Sequence, residues 1–174
     1  MKKLLLVVFL AAGTAMAQTG YVASEAILQS MPEFQKAQEE INKLAASLEA
    51  DSKKAETNAR ERMAALQKQV QELSQTATDE VAFNKEVEIY KSQAGAIETE
   101  LLNSKKLAEL KLGEKQNKLI GPITKKLNEA IKKVAAAKGY KVIVDINAVA
   151  YATEETNISK DVAMELGIPI PVED

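Results

Sequence analysis

The sequence has 174 residues, a formal net charge of −2, and no cysteine, histidine or tryptophan. Without cysteine there are no disulfide bonds, and without cysteine and histidine the usual zinc ligands and nucleophile–imidazole pairs are missing. Charged residues make up 28% of the chain and aromatic residues only 4%. This composition, rich in Ala, Leu, Glu, Lys and Gln, is typical of long helices and coiled coils. We therefore predict neither an enzyme nor a cofactor-binding protein.

Residues 1–17 have the pattern of a cleaved export signal. The basic pair Lys2-Lys3 precedes an apolar run over 4–12, and Ala15-Met16-Ala17 supplies the small-x-small pattern of a cleavage site. The run is shorter than the roughly 20 residues that a membrane-spanning helix needs, although an uncleaved anchor is the alternative. We therefore predict a mature periplasmic protein that begins near Gln18 and has a net charge of −4.

The first long helix is predicted from its start signal and its periodicity. Residues 18–32 form a lead-in, with Tyr21-Val22 as the only strand candidate. Ser30, as the capping residue, and Pro32 then mark a helix start. From there to about residue 75 no Gly or Pro occurs, and apolar residues recur every three or four positions. The residues of this stripe expected to form a core are Ile41, Leu44, Leu48, Met63, Leu66, Val70 and Leu73.

A second apolar stripe follows a polar segment over 74–80, which we predict to be a turn. Because the two stripes lie at matching distances from that turn, the sequence predicts an antiparallel coiled-coil hairpin over 33–121. One continuous rod is the alternative. Arms of about 42 residues would be roughly 60 Å long at 1.5 Å per residue. The core residues expected on the second arm are Phe83, Val87, Tyr90, Ile97 and Leu101.

Gly121-Pro122 is expected to kink or break the second helix, and is a possible hinge, because proline removes a backbone hydrogen bond. The residues that broaden the apolar face of the helix before this point are Leu102, Leu107, Leu110, Leu119 and Ile120. A two-helix arm does not need that extra apolar surface. We interpret it as a sign that the helix enters a larger body.

Residues 122–174 are predicted to form one domain with residues 18–32. After a helix end at Gly139, the β-branched run 140–152 predicts strands over 140–145 and 148–152, with a turn at Asp145 to Asn147. Ser159 is expected to cap a short final helix over 160–166, which Gly167 ends. The fold class is therefore mainly α, with a small β base.

So few short strands cannot bury a core or close their own edges. We therefore predict an obligate oligomer in which strands of several copies complete a barrel. The alternative is a monomer whose amphipathic final helix covers the sheet. The residues predicted to form the shared strands are Tyr21, Val22, Val142, Val144, Ala148, Val149, Ala150 and Tyr151.

Charge is distributed unevenly along the second helix. Residues 79–102 carry six acidic and two basic residues, whereas residues 103–138 carry ten basic and three acidic residues. The basic segment is a candidate surface for acidic clients or an anionic lipid surface. Alternatively, its lysines form a solvated face that pairs with acids of the first helix. Nucleic acid is not expected, because aromatic stacking partners are missing. The candidate client-facing lysines are Lys105, Lys106, Lys111, Lys115 and Lys118.

The run Gly139–Tyr151 resembles the C-terminal strand region of the Skp/OmpH family of periplasmic chaperones. Tyr21-Val22, Ile27-Leu28 and Pro32-Glu33-Phe34 are similar to that family's first strand and helix entry. The resemblance implies a homotrimer with a shared β-barrel, whose helical tentacles surround a cavity. It also implies ATP-independent holding of unfolded outer-membrane proteins in that cavity. A structural coiled-coil envelope protein or adaptor is the alternative function.

Overall fold

The computed structural model describes residues 19–169. The predicted export signal and the last five residues lie outside this range. The described chain divides into two compact units, which we call the hairpin unit (residues 32–123) and the strand unit (residues 19–31 and 124–169). The helices and strands are β1 (Thr19–Val22), α1 (Ser24–Ser30), α2 (Pro32–Thr76), α3 (Glu80–Lys138), β2 (Val142–Asp145) and α4 (Ser159–Leu166).

The hairpin unit consists of α2 and the first part of α3, which run antiparallel. The turn between them is short, and Asp79 caps α3 because its Oδ1 atom accepts a hydrogen bond from the backbone N–H of Val81 at 2.8 Å. Ion pairs join α2 to α3 at increasing distance from the turn, from Arg62–Glu100 to Glu40–Lys115. The predicted helical hairpin is therefore confirmed, and the single-rod alternative is wrong.

Pro122 lies inside α3, which continues without a break to Lys138. The prediction that the helix breaks at Gly121-Pro122 is therefore wrong. A proline within a helix removes one hydrogen bond and crowds the preceding turn. The regular bonding on both sides is sufficient for α3 to continue. The role of this pair as a hinge stays a prediction.

The strand unit contains a two-stranded parallel sheet. Thr19 to Val22 pair in register with Val142 to Asp145. On the other edge of β1, the carbonyl of Tyr21 accepts a hydrogen bond from the N–H of Ile158 at 2.9 Å. The N–H of Ala23 donates to the Ser159 hydroxyl, also at 2.9 Å. Both edges of β1 are therefore occupied, so β1 is the central segment of this unit.

The backbone groups of β2 alternate between its two edges, as in any strand. The backbone groups of Tyr21 and of Ala23, which follows β1, face Ile158 and Ser159. The backbone groups of Gly20 and Val22 must therefore face β2. By the same alternation Val142 and Val144 face β1, whereas the N–H and C=O of Ile143 point away from it. No other described strand pairs with that outer edge. The strand unit therefore presents one open sheet edge.

The core of the strand unit is formed by side chains from α1, α3, α4 and the segment before α4. Among its members, Ile27, Met31, Ile158 and Val162 are completely buried. Two glycines in the left-handed conformation end the helices around this core, as predicted: Gly139 (φ 77°) after α3 and Gly167 (φ 68°) after α4. The short connections bring all of these elements into one packed body.

The second predicted strand, over 148–152, does not form. Ile146–Ala148 is instead a short 3₁₀ helix, because Asp145 Oδ1 accepts a hydrogen bond from the N–H of Asn147 and turns the chain. Residues 149–152 that follow have no regular structure. The β-branched composition of the run favours a strand. However, a strand forms only where another strand pairs with it, and no described strand pairs with this segment.

Two capping predictions are also wrong, and α4 begins one residue earlier than predicted. Ser30 does not cap α2; it ends an additional helix, α1, and its hydroxyl donates to the carbonyl of Ala26 at 2.9 Å. Ser159 is the first residue of α4, and the Asn157 side chain accepts a hydrogen bond from its N–H. The Ser159 hydroxyl is used instead to bond β1. The Ser159 hydroxyl therefore serves a tertiary contact, and the Ser30 hydroxyl a hydrogen bond within its own helix, rather than helix caps.

Candidate functional site

The apolar residues at which α2 and α3 meet form a thin core, which we call the seam. Of its predicted members, Ile41 and Ile97 are buried, and the rest are only half-buried. A two-helix hairpin has no third element to cover the sides of such a contact. The seam residues that are half-buried are Leu44, Leu48, Met63, Leu66, Val70, Leu73, Phe83, Val87, Tyr90 and Leu101.

Open cavities lie along the seam. Near the turn, Met63, Leu66 and Tyr90 line an apolar cavity of about 330 Å³. Ala55 and Ala59 line a second cavity, of about 290 Å³, and Leu48 lies in a third, of about 370 Å³. These spaces are open to solvent rather than enclosed. The seam is therefore open at its sides, and apolar side chains within it can be reached from solvent.

Three ion pairs join α2 to α3 alongside the seam. Lys105 Nζ lies 2.7 Å from Glu56, Lys115 Nζ lies 2.7 Å from Glu40, and Arg62 lies 2.8 Å from Glu100. The hydrogen bond from Lys115 lowers the pKa of Glu40, and that from Lys105 lowers the pKa of Glu56. Because these groups are exposed or only half-buried, each pair adds little stability. All three are consistent with one register of the two helices.

The structure separates the five candidate client-facing lysines into two groups. Lys105 and Lys115 are neutralised by acids of α2. Lys106, Lys111 and Lys118 are exposed and form no ion pair within the described part of the chain. The alternative in which lysines pair with the first helix therefore applies to two of the five.

Three of the five residues that broaden the apolar face of α3 are exposed. The exposed fraction is 67% for Leu102, 52% for Leu107 and 54% for Leu110. Leu119 and Ile120 are half-buried. The interpretation that the helix enters a larger body is confirmed, because the residues of α3 from 124 onward belong to the strand unit. The three exposed leucines lie before that point, and nothing in the described chain covers them. At 100° per residue, Leu110 lies nearly opposite the seam residues Leu101 and Ala108. The outer side of α3 thus carries apolar surface that the hairpin does not use.

The strand unit also exposes apolar residues in and after β2. Val142 is 48% exposed, and Tyr151, in the segment that follows the 3₁₀ helix, is 86% exposed. Ile131, Ala135 and Ile143 line a cavity of about 460 Å³ between the end of α3 and β2. Solvent-exposed strand edges next to apolar surface are sites of pairing with another chain. This region is a candidate interface.

The eight residues predicted to form shared strands have different environments. Tyr21 and Val22 are buried within their own chain, so their side chains are not available to a partner. Val142 and Val144 lie in β2, next to the open edge. The residues of the group that lie after β2 and outside any strand are Ala148, Val149, Ala150 and Tyr151.

A polar contact secures the end of β2. The Ser24 hydroxyl donates to Asp145 Oδ2, and the N–H of Asn147 donates to Asp145 Oδ1 at 3.0 Å. The hydrogen bond from Ser24 holds the pKa of Asp145 below its ordinary value, against the opposing effect of burial. Only the ionised carboxylate accepts both bonds fully. Asp145 therefore links α1, β2 and the 3₁₀ helix in its charged form.

This contact makes the stability of the protein depend on pH. Because the folded-state pKa of Asp145 is lowered, its contribution is present above the ordinary pKa of about 3.9 and is lost as pH falls through the folded value. We expect the Asp145→Asn variant to have a lower free energy of unfolding at neutral pH and a smaller loss between about pH 4 and 2. Urea titrations at several pH values measure both. Ser24→Ala should act in the same direction; equal pH slopes for all three proteins would contradict the assignment.

Within residues 19–169, no group of three or more acidic residues is arranged to hold a metal ion. In that same range, no helix has the length and apolar character that crossing a membrane requires. The features that the structure does offer are surfaces: the seam cavities, the outer side of α3 and the open edge of β2.

These features define a coiled-coil hairpin protein with a small strand-containing unit. The chain belongs to the OmpH-like outer membrane protein family, whose model matches residues 18–166. The resemblance to the Skp/OmpH family is thereby confirmed. No curated protein matches the sequence.

A solved structure agrees with this assignment. The chain is similar to an OmpH-like protein of Caulobacter crescentus CB15, a candidate outer membrane chaperone, with a TM-score of 0.54 and 18% sequence identity. The match covers 93% of this chain and 92% of the Caulobacter chain. At this identity the similarity establishes a shared fold over nearly the whole length.

Proposed function

We propose that this protein is an ATP-independent periplasmic holdase that binds unfolded outer-membrane β-barrel proteins and prevents their aggregation. The single observation that carries the proposal is membership in the OmpH-like family over residues 18–166. Unfolded barrel strands expose alternating apolar side chains and unpaired edges in water, and therefore aggregate. A holding protein must offer apolar surface to such chains without aggregating itself.

The hairpin unit supports this proposal through its seam. The half-buried side chains and open cavities between α2 and α3 offer apolar contacts that are not consumed by the fold. Met63 and Tyr90 can adapt to different apolar groups, because a thioether is flexible and a tyrosine is amphipathic. Many weak contacts of this kind hold a client without imposing one structure. No chemical step is required.

We propose further that three copies associate through the open edge of β2 and the exposed residues near it. Val142 and Tyr151 would be covered, and the 149–152 segment would gain the strand partner that it lacks in one copy. The cavity between α3 and β2 would accept the neighbouring chain. Three hairpins would then surround a common space. This arrangement would place many seams around one client.

The holding activity is tested by dilution of a urea-unfolded outer-membrane porin into buffer with and without the purified protein. We expect the protein to suppress light scattering in proportion to its concentration, without ATP, because apolar client surface becomes covered. An unrelated coiled-coil hairpin of similar length is the control. If scattering rises equally with and without the protein, the structural coiled-coil alternative is correct and the chaperone proposal is wrong.

A further inference from the structure

Three exposed leucines and three exposed lysines lie on the outer side of α3. Lys106 follows Leu102 by four residues and precedes Leu110 by four, and Lys111 follows Leu107 by four. Residues four apart are neighbours on a helix surface, so each of these lysines lies next to a leucine. We call this surface the leucine–lysine face; it comprises Leu102, Lys106, Leu107, Leu110, Lys111 and Lys118.

Neither the fold nor the seam uses this face. Its leucines are all more than half exposed, and its lysines have no ion-pair partner among the described residues. The neighbouring Lys105 and Lys115, in contrast, pair with acids of α2. Within residues 102–118 two carboxylates, Glu109 and Glu114, lie beside the face, and its three lysines leave it with a net positive charge. Lysine stems also extend its apolar area, because their methylene groups lie along the surface while the ammonium groups stay in water.

We propose that the leucine–lysine face selects unfolded client segments that carry apolar and acidic side chains on the same side of the extended chain. The inference rests on the holding function proposed above and names the kind of segment that is preferred. From Leu102 to Lys118 the face is about 24 Å long at 1.5 Å per residue. An extended chain spans this length with about seven residues, of which every second one points toward the helix. Among these, the apolar side chains contact the leucines, and the carboxylates are attracted to the lysines.

A polypeptide fits this face better than a membrane surface does. Helices that lie in the lipid interface carry a continuous apolar face with aromatic residues. Here the leucines are separated by lysines and by Asn103, the stretch has no aromatic residue, and Glu114 would meet anionic headgroups. The acidic stretch over 79–102 of the same helix adds selectivity, because it repels acidic chains and directs them toward residues 102–118.

The test compares two labelled peptides that carry the same apolar residues on one side of the extended chain. At the remaining positions of that side one peptide carries glutamate and the other carries glutamine, and binding to the full-length protein is measured by fluorescence anisotropy. We expect the acidic peptide to bind more tightly, and its advantage to decrease with salt because the charges are exposed. In the Lys106→Gln/Lys111→Gln variant the acidic peptide should bind roughly three- to tenfold more weakly.

The matched control is Lys105→Gln/Lys115→Gln, which removes the same charge from the same helix segment but from lysines that α2 already neutralises. It should change peptide affinity by less than about twofold. Leu102→Gln/Leu110→Gln should weaken both peptides, because both share the apolar contacts. Thermal unfolding of each variant identifies any loss of folding.

Three results would overturn the inference. The two peptides could bind equally, or the two lysine pairs could have equal effects. Alternatively, phosphatidylglycerol vesicles could be bound through Lys106 and Lys111 while the acidic peptide is not bound. The holding function is judged separately, by suppression of porin aggregation by the unaltered protein. If that suppression is present and the peptides do not differ, only the selectivity is wrong.

Discussion

The variant Val142→Glu/Tyr151→Glu is expected to be monomeric at micromolar concentration, where the unaltered protein should be a trimer. Both side chains are exposed in one copy, 48% and 86% respectively, so the substitutions leave no cavity within the fold. In an oligomer, however, each glutamate would be buried without a partner, which costs several kcal/mol. With two such charges per copy, association should be lost. Size-exclusion chromatography with light scattering measures the change directly.

The same variant should also lose most of its suppression of porin aggregation, because a single hairpin offers far fewer simultaneous contacts than three. The control is Val81→Glu, at a side chain that is 79% exposed near the turn of the hairpin unit. It introduces one glutamate, rather than two, at an accessible apolar position outside the proposed interface, and this variant should stay trimeric. A glutamate variant that remains trimeric, or a native protein that is monomeric, would contradict the proposed interface.

The hairpin was predictable from sequence because its information is local and periodic. Apolar residues at three- and four-residue spacing specify helices, and equal stripe lengths around a polar turn specify their antiparallel pairing. The residues after β2 carry no comparable signal. Val149 and Tyr151 favour a strand by composition, but a strand is defined by its partner. The described single chain supplies none, so Asp145 instead directs the backbone into a 3₁₀ turn.

The candidate site was only partly predictable for a related reason. Lys105 and Lys106 are adjacent in sequence but differ by 100° around the helix. This rotation places Lys105 against Glu56 and leaves Lys106 on the outer side beside Leu110. Which lysines are neutralised depends on the register between α2 and α3. A sequence without coordinates fixes that register only to within about one helical turn.

A second large effect is expected in the core of the strand unit, where Ile27→Ala should lower the free energy of unfolding by about 2–5 kcal/mol. Ile27 lies on α1 and is completely buried, together with Met31, Ile158 and Val162. Removing three carbon atoms there leaves a cavity that the surrounding helices and strand cannot fill by small movements. Because the same unit carries the proposed oligomer interface, the loss should reduce trimer stability as well.

Thermal unfolding at equal protein concentration measures the effect of Ile27→Ala, since the stability of an oligomer depends on concentration. For a chain of this size the midpoint should fall by roughly 5–15 °C. Val81→Ala is the matched control: its side chain is mostly exposed, so the change should stay within about 0.5 kcal/mol. An equal response of the two variants would show that the strand unit does not limit stability. The packing of α2 against α3 along the seam would then determine the stability of the protein.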